Sequence, residues 1–141
     1  MKHFTYKTLS ELQQGAETVG ASHVRFEENP ENIKSILARK VRVGNFTVGN
    51  SIAVHPMEGC DATLDGHPGE LTYRRYERFG RGGAKLIWFE ATAVCPEGRA
   101  NTRQLLINRD TLKDLASMLE LTRRAHFEEF GTTDDFWSRC N

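Results

Sequence analysis

Cysteine is scarce in this sequence of 141 residues: Cys60, Cys95 and Cys140 are odd in number and far apart. Neither a disulfide framework nor a Cys-x-x-Cys metal site can be built from them, and they are read as reduced thiols. An excess of charge is lacking too. Lys and Arg total 19 and Asp and Glu total 19, so nothing points to nucleic acid or to a charged lipid surface. Long apolar runs are also missing: the opening Met1–Tyr6 has no apolar core of signal-peptide length, and no stretch approaches a membrane span. These absences leave a folded domain of one-domain length, with no membrane partner and a cytoplasmic location expected.

What the chain does contain is a pair of apolar runs that stop abruptly. One ends in His55-Pro56-Met57-Glu58-Gly59-Cys60-Asp61, the other is Leu86-Ile87-Trp88-Phe89-Glu90-Ala91-Thr92. A buried parallel strand that delivers its last residues to a site at its carboxyl end has this appearance. Any chemistry is expected at these two strand ends.

Around them the pattern predicts a sequence of elements. Residues 1–36 read as a helical extension, in which Thr8 or Ser10 caps a short helix carrying Leu9, Leu12 and Val19, Gly20 ends it, and Asn32 to Leu37 forms a second. Val41-Arg42-Val43 and Phe46-Thr47-Val48 flank Gly44-Asn45 in the manner of a tight hairpin. A buried strand is expected over Ser51 to His55, then a polar loop from Glu58 to Gly69, then a helix from Glu70 to Phe79 with Tyr73, Tyr76 and Phe79 on one face. Gly80, Gly82 and Gly83 stop that helix before the second strand. Beyond an irregular stretch from Val94 to Arg109, Asp110 is the expected cap of the longest helix, with Leu112, Leu115, Leu119 and Thr122 marking its buried face. The result is two strand-loop-helix units in the order of a parallel crossover.

At these residues the chain resembles the old yellow enzyme family, FMN-dependent NADH:flavin oxidoreductases and ene-reductases built on an eightfold β/α (TIM) barrel. The matching features are the hairpin, Asn50 leading into a strand that ends in Pro56-Met57, the helix from Glu70 through Arg81, then Gly82-Gly83-Ala84-Lys85-Leu86-Ile87 and the closing Glu90-Ala91-Thr92. Order and spacing agree from about Leu37 to about Phe130. The implied fold is the N-terminal part of a TIM barrel over residues 37–141, an FMN-binding domain that stops before the third barrel strand. A complete barrel needs roughly 250 residues, so the substrate-holding, proton-donating and phosphate-binding residues of the family have no counterpart in the chain, and its catalytic residues are left unassigned.

The resemblance implies that His55, Pro56, Met57 and Glu58 line the flavin, largely through backbone groups, and that Ala91 lies against the ring, where only a small side chain lets a flat ring approach the backbone. The residue after Pro-Met is often Thr or Cys in the family and can donate toward the flavin; here it is Glu58, which cannot donate when ionised. Cys60 is then a candidate for the substrate side, and Ser51 replaces the family's usual Arg after the Asn.

Each of these residues also has a plainer reading. His55 is a flavin neighbour or a hydrogen-bonded residue at a strand end. Glu90 is an acid or base, or a structural acceptor for backbone and Arg donors. Arg99 and Arg103 meet an anionic substrate or lie solvated in a loop. Asp61 and Asp65 without a third ligand are weak material for a cation, and no metal is expected. Cys60 is a reactive or an inert thiol. The aromatic helix face is core packing and not a platform for nucleobases.

The functional expectation is an N-terminal fragment of an oxidoreductase that passes hydride from NAD(P)H through FMN to an activated alkene or related small-molecule acceptor, inactive by itself. The alternative is a non-catalytic fragment or interaction module that self-associates or pairs its open sheet edge with a complementary barrel chain. The ending Trp137-Ser138-Arg139-Cys140-Asn141 is polar and is expected not to form a buried strand. One base inserted before the Trp137 codon would turn it into an apolar run closing in Gln, which reads as a frameshift in a longer gene.

Overall fold

The computed structural model describes residues 5–139. Met1–Phe4, Cys140 and Asn141 lie outside the described residues, and with them the expectations for Cys140 and for the last codon. The chain divides into two compact units, Met1–Ile36 and Leu37–Asn141.

The first unit is helical. Helix α1 spans Leu9–Thr18, and the Thr8 hydroxyl oxygen caps it by accepting from the Glu11 N–H at 3.2 Å. Helix α2 spans Pro30–Ala38, so it starts two residues before the predicted Asn32; proline at a first helical position forfeits an N–H that would lack a partner anyway. Neither helix buries a residue.

The second unit opens on a hairpin. Strands β1 (Val41–Val43) and β2 (Phe46–Val48) pair antiparallel with Val43 opposite Phe46, which leaves Gly44-Asn45 as the turn, as the spacing predicts. Gly44 takes φ +59°, the left-handed conformation that such turns require. A second sheet holds β3 (Ala53–Val54), β4 (Leu86–Trp88) and β5 (Trp137–Arg139), all parallel, with β4 in the centre. The register of β3 on β4 is pinned at its start by the Asn50 side chain, which donates to the Gly83 carbonyl at 2.8 Å and accepts from the Lys85 N–H at 3.1 Å.

Strand β5 adds a third parallel strand where the sequence predicts two: Leu86 pairs with Trp137 and Trp88 with Arg139. The polarity argument applies to a strand covered on both faces and flanked on both sides. As an outer strand, β5 needs only the backbone ladder that β4 offers. The three strands form a small open sheet and no closed barrel.

Helix α3 (Glu70–Arg81) lies between β3 and β4 in the chain, and α4 (Leu112–Phe130) lies between β4 and β5. Thr72, Tyr76 and Gly80 recur at helical spacing and form the buried face of α3. The buried face of α4 is Leu115, Met118, Thr122, Ala125 and His126, not the predicted line through Leu112, which is 55% exposed. Its cap is Thr111 and not Asp110: the Asn108 side-chain oxygen accepts from both the Asp110 and Thr111 N–H groups and forms the turn one step earlier. Gly131 at φ +69° ends the helix.

Ile87 and Phe89 point to the helices and join Ala62, Tyr76, Leu105, Leu115 and Met118 in the core. The Tyr76 and Phe89 rings stack at 4.4 Å, so this part of the aromatic face is core packing. Alternation sends Trp88, 46% exposed, to the other face of the sheet. Ile87, on the helix side, is 1% exposed.

Helices α3 and α4 touch most closely at Gly80, where an added Cβ would collide with the Thr122 carbonyl oxygen. Beside it the His126 Nδ1–H donates to the Gly80 carbonyl at 2.9 Å, which leaves Nε2 to accept from the Lys85 ammonium at 2.8 Å. Burial, with the Lys85 charge and against the pull of the Gly80 carbonyl, holds His126 below the usual histidine range and keeps it neutral. Gly80→Ala would gain roughly 1 kcal/mol of helix propensity, but forcing the helices apart costs about 1–3 kcal/mol. The expected outcome is a lowered thermal midpoint; a variant more stable than the parent would show that the helices are not in contact here.

Candidate functional site

The carboxyl ends of β3 and β4 release two segments, Pro56 to Asp61 and Phe89 to Ala93, and between them stands a buried charge cluster. Arg75 of α3 donates through Nη2 to Glu90 Oε1 at 2.7 Å and to Asp61 Oδ1 at 2.8 Å, with Nε reaching Asp61 Oδ2 at 3.3 Å. The other Glu90 oxygen accepts from the Gly59 N–H at 2.9 Å, and the Glu90 N–H donates to the Tyr76 hydroxyl oxygen at 2.7 Å. With its side chain 1% exposed, Glu90 is the structural acceptor of the plainer reading. Burial works against the Arg75 cation, but the hydrogen bonds and charges of Asp61 and Glu90 outweigh it and push its pKa upward. Burial likewise opposes the Asp61 anion, and Arg75 together with the Thr72 hydroxyl outweighs it and holds that carboxyl below its usual value. Asp61 is thereby committed to Arg75 and does not join Asp65, whose carboxylate takes the Thr63 hydroxyl. Among the described residues no group of three or more His, Cys, Asp or Glu could hold a metal ion.

Alongside this cluster lies a cavity of about 430 Å³. Pro56 forms part of its wall, as do the segment Trp88 to Ala93, Gln104 and Ile107 of the following loop, and Leu115 and Met118 of α4. Of the residues singled out in the sequence, Pro56 and Ala91 line it. Glu58 sits half-buried behind that wall, while His55, Met57 and Cys60 are exposed and do not line it. Met57 is 77% exposed. Cys60 adopts φ +50°, uncommon for a residue with a side chain, and its sulfur lies 3.6 Å from the Asn101 amide.

Four residues that tie the loops of the site together have no signal in sequence periodicity. Gln104 donates to Glu58 Oε1 at 2.7 Å and to the Ala91 carbonyl at 3.2 Å. Asn101 donates to Glu58 Oε2 at 2.8 Å. Arg99, half-buried, spends its donors on backbone: it donates to the carbonyls of Leu64 at 2.7 Å, Thr102 at 2.7 Å and Gln104 at 2.7 Å, which ties the loop after β3 to the loop after β4. Arg103 donates to the Ala62 carbonyl at 3.2 Å. The only hint of such roles is the run of Arg, Asn and Gln in a stretch with no regular element to support them.

No family model matches the chain, and no curated protein matches it in sequence. Solved structures do match it. The old yellow enzyme homologue from Zymomonas mobilis aligns with TM-score 0.54 and 27% identity over 63% of this chain and 25% of its own. The old yellow enzyme from Trypanosoma cruzi aligns with TM-score 0.53 and 24% identity over 63% of this chain and 24% of its own. Morphinone reductase, solved in complex with tetrahydroNAD, aligns with TM-score 0.54 and 24% identity over 63% and 24%. The chain thus spans about a quarter of the length of these proteins. No helix among the described residues is long and apolar enough to cross a membrane.

The loop after β3 also carries a titrating link to α4. His67 Nδ1 lies 2.6 Å from Asp114 Oδ2 in the first turn of α4, and Nε2 lies 3.8 Å from Asp65. The Asp114 hydrogen bond, against burial and with the charges of Asp65 and Asp110, raises the His67 pKa above 6.5. Because the folded value lies above the unfolded one, the stabilisation is complete below 6.5 and is lost as pH rises through the folded pKa. This link therefore lowers the thermal midpoint on going from slightly acid to slightly alkaline pH while His126, held neutral, acts in the opposite sense, so His67→Gln should turn the slope toward stability that rises with pH relative to the parent. An unchanged slope in the variant would place the titration elsewhere.

Proposed function

We propose that this chain, which resembles the old yellow enzyme family over part of that family's length, supplies one wall of an FMN site in an oxidoreductase. The observation that carries the reading is the cavity at the ends of β3 and β4, walled by Pro56 and Ala91, in a fold that matches solved members of the family. The residues present fit the ring: the volume suits a small-molecule site, and Ala91 offers only a methyl group where a flat ring must approach the backbone. They do not extend to the phosphate, because none of the side chains lining the cavity is cationic.

In this reading Pro56 and Ala91 press on the ring, His55, Met57 and Glu58 approach it through the segment leaving β3, and Cys60 faces the substrate side. The flavin, when bound, supplies the electron chemistry, accepting hydride from NAD(P)H in the complete enzyme and delivering it to an activated alkene or related acceptor. The chain's residues fix position and exclude water: the Arg75 cluster sets the two strand ends, and Leu115 and Met118 keep the floor apolar. The setting proposed is the cytoplasm.

A second reading is favoured by Trp88, 46% exposed on the open sheet. There the chain acts as a non-catalytic module that self-associates or receives a complementary barrel chain.

One titration separates the two. Added FMN should lose fluorescence on binding with an affinity weaker than about 1 μM, since only one wall of the site and no phosphate contact are present. Ala91→Phe should abolish the quenching while leaving far-UV circular dichroism unchanged. Unchanged quenching removes Ala91 from the site, and a colourless, dye-binding oligomer without any quenching favours the second reading.

A further inference from the structure

Glu58 occupies the position after Pro56-Met57, and its carboxylate is bound on both oxygens by side-chain amides from the loop after β4: Gln104 at 2.7 Å on Oε1 and Asn101 at 2.8 Å on Oε2. Both amides are fully committed. Gln104, 6% exposed, donates to the Ala91 carbonyl as well and accepts from the Ala100 N–H at 2.6 Å. Asn101 also points its amide at the Cys60 sulfur, and its oxygen accepts from the Arg103 N–H at 2.8 Å. Turning either amide around would set oxygen against carboxylate and N–H against N–H, so the network fixes both orientations. Two oriented donors thus converge on one carboxylate, and the same Gln104 holds Ala91, a wall of the cavity. A hydroxyl or thiol at position 58 is too short to reach both loop amides and offers one acceptor atom where two are used.

We propose that Glu58 is a positioning residue: it latches the loop of residues 99–104 to the segment leaving β3 and, through Gln104, holds Ala91 and Pro56 as walls of one cavity. Its value for the ring site rests on the reading of that cavity as a flavin wall. The latch itself does not. Glu58 does not take the donor role that the resemblance implies for Thr or Cys at this position, because an ionised carboxylate only accepts and each of its oxygens already holds a loop amide.

Hydrogen exchange tests the latch and flavin titration tests its consequence, both on the full chain. The backbone N–H groups of Ala100 and Arg103 report the latch, since their acceptors are the oxygens of Gln104 and Asn101. Glu58→Gln keeps the shape but turns an amide donor toward another, and should speed exchange at Ala100 and Arg103 about tenfold while weakening FMN quenching by a similar factor. Amides of α3 and α4 should be unaffected. Adding Gln104→Glu to Glu58→Gln gives the new amide an acceptor and should restore slow exchange at Ala100, but it removes the donor to the Ala91 carbonyl, so FMN quenching should stay weak. Asn101→Ala, a change in the loop alone, should release Arg103 and leave the fold intact. Unchanged exchange in Glu58→Gln overturns the latch, and faster exchange with undiminished FMN affinity overturns its link to the cavity. If the parent chain quenches no flavin while exchange responds as described, the latch stands and the flavin reading falls.

Discussion

One guanidinium sets the geometry at the functional end of this fold. Arg75 emerges from α3 and meets two carboxylates from different strand ends, Asp61 after β3 and Glu90 after β4. Charges out of water are costly unless every lone pair and proton is used. Here the buried atoms are satisfied: Thr72 adds a hydroxyl to Asp61 at 2.7 Å, Gly59 adds its N–H to Glu90, and no buried side-chain polar atom among the described residues lacks a partner. A lysine could not reproduce this, since one point charge cannot present the planar fork that grips both oxygens of Asp61. The two segments that wall the cavity are spaced by this cluster and not by the short strands, which pair over only two residues between β3 and β4.

From Arg75 outward the dependence can be followed. Tyr76, next in α3, supports the Glu90 backbone and stacks on Phe89, so the residues before Ala91 are held from both sides. Gln104 then fixes the Ala91 carbonyl from the loop, and Arg99 fixes that loop through the carbonyls it gathers. The cavity is thus a consequence of polar ties between loops standing on an apolar floor. That division suits a site for a flat ring, which needs an apolar surface to lie on and rigid backbone at its edge.

The elements with a strong local signal were legible in the sequence. The Gly44-Asn45 turn between two alternating runs forms the hairpin, and α3 begins at Glu70 as its periodicity requires. The two apolar runs that stop at polar residues are parallel neighbours and their ends meet at one cavity, but the first is not the buried strand expected over Ser51 to His55: β3 covers only Ala53–Val54, and Ser51, Ile52, Ala53 and His55 are exposed. What the sequence hid was context. Strand β5 is polar and forms because β4 leaves an edge to pair with. The start of α4 was misjudged because Asn108, and not the better-known cap Asp110, receives the free N–H groups. The ties from Gln104 and Asn101 to Glu58 join residues more than 40 positions apart, at separations of 46 and 43, through a loop whose order has no period to reveal it.

The central claim is that the Arg75–Glu90 contact, and not strand pairing, holds the two strand ends together. A double-mutant cycle on folding stability with Arg75→Met and Glu90→Gln measures it directly. Arg75→Met leaves two carboxylates without their cation and should cost about 3–5 kcal/mol. With both changes present the loss should fall short of the sum of the single losses by roughly 2 kcal/mol, the size expected of groups in one network. Losses that add to within about 0.5 kcal/mol would contradict the account.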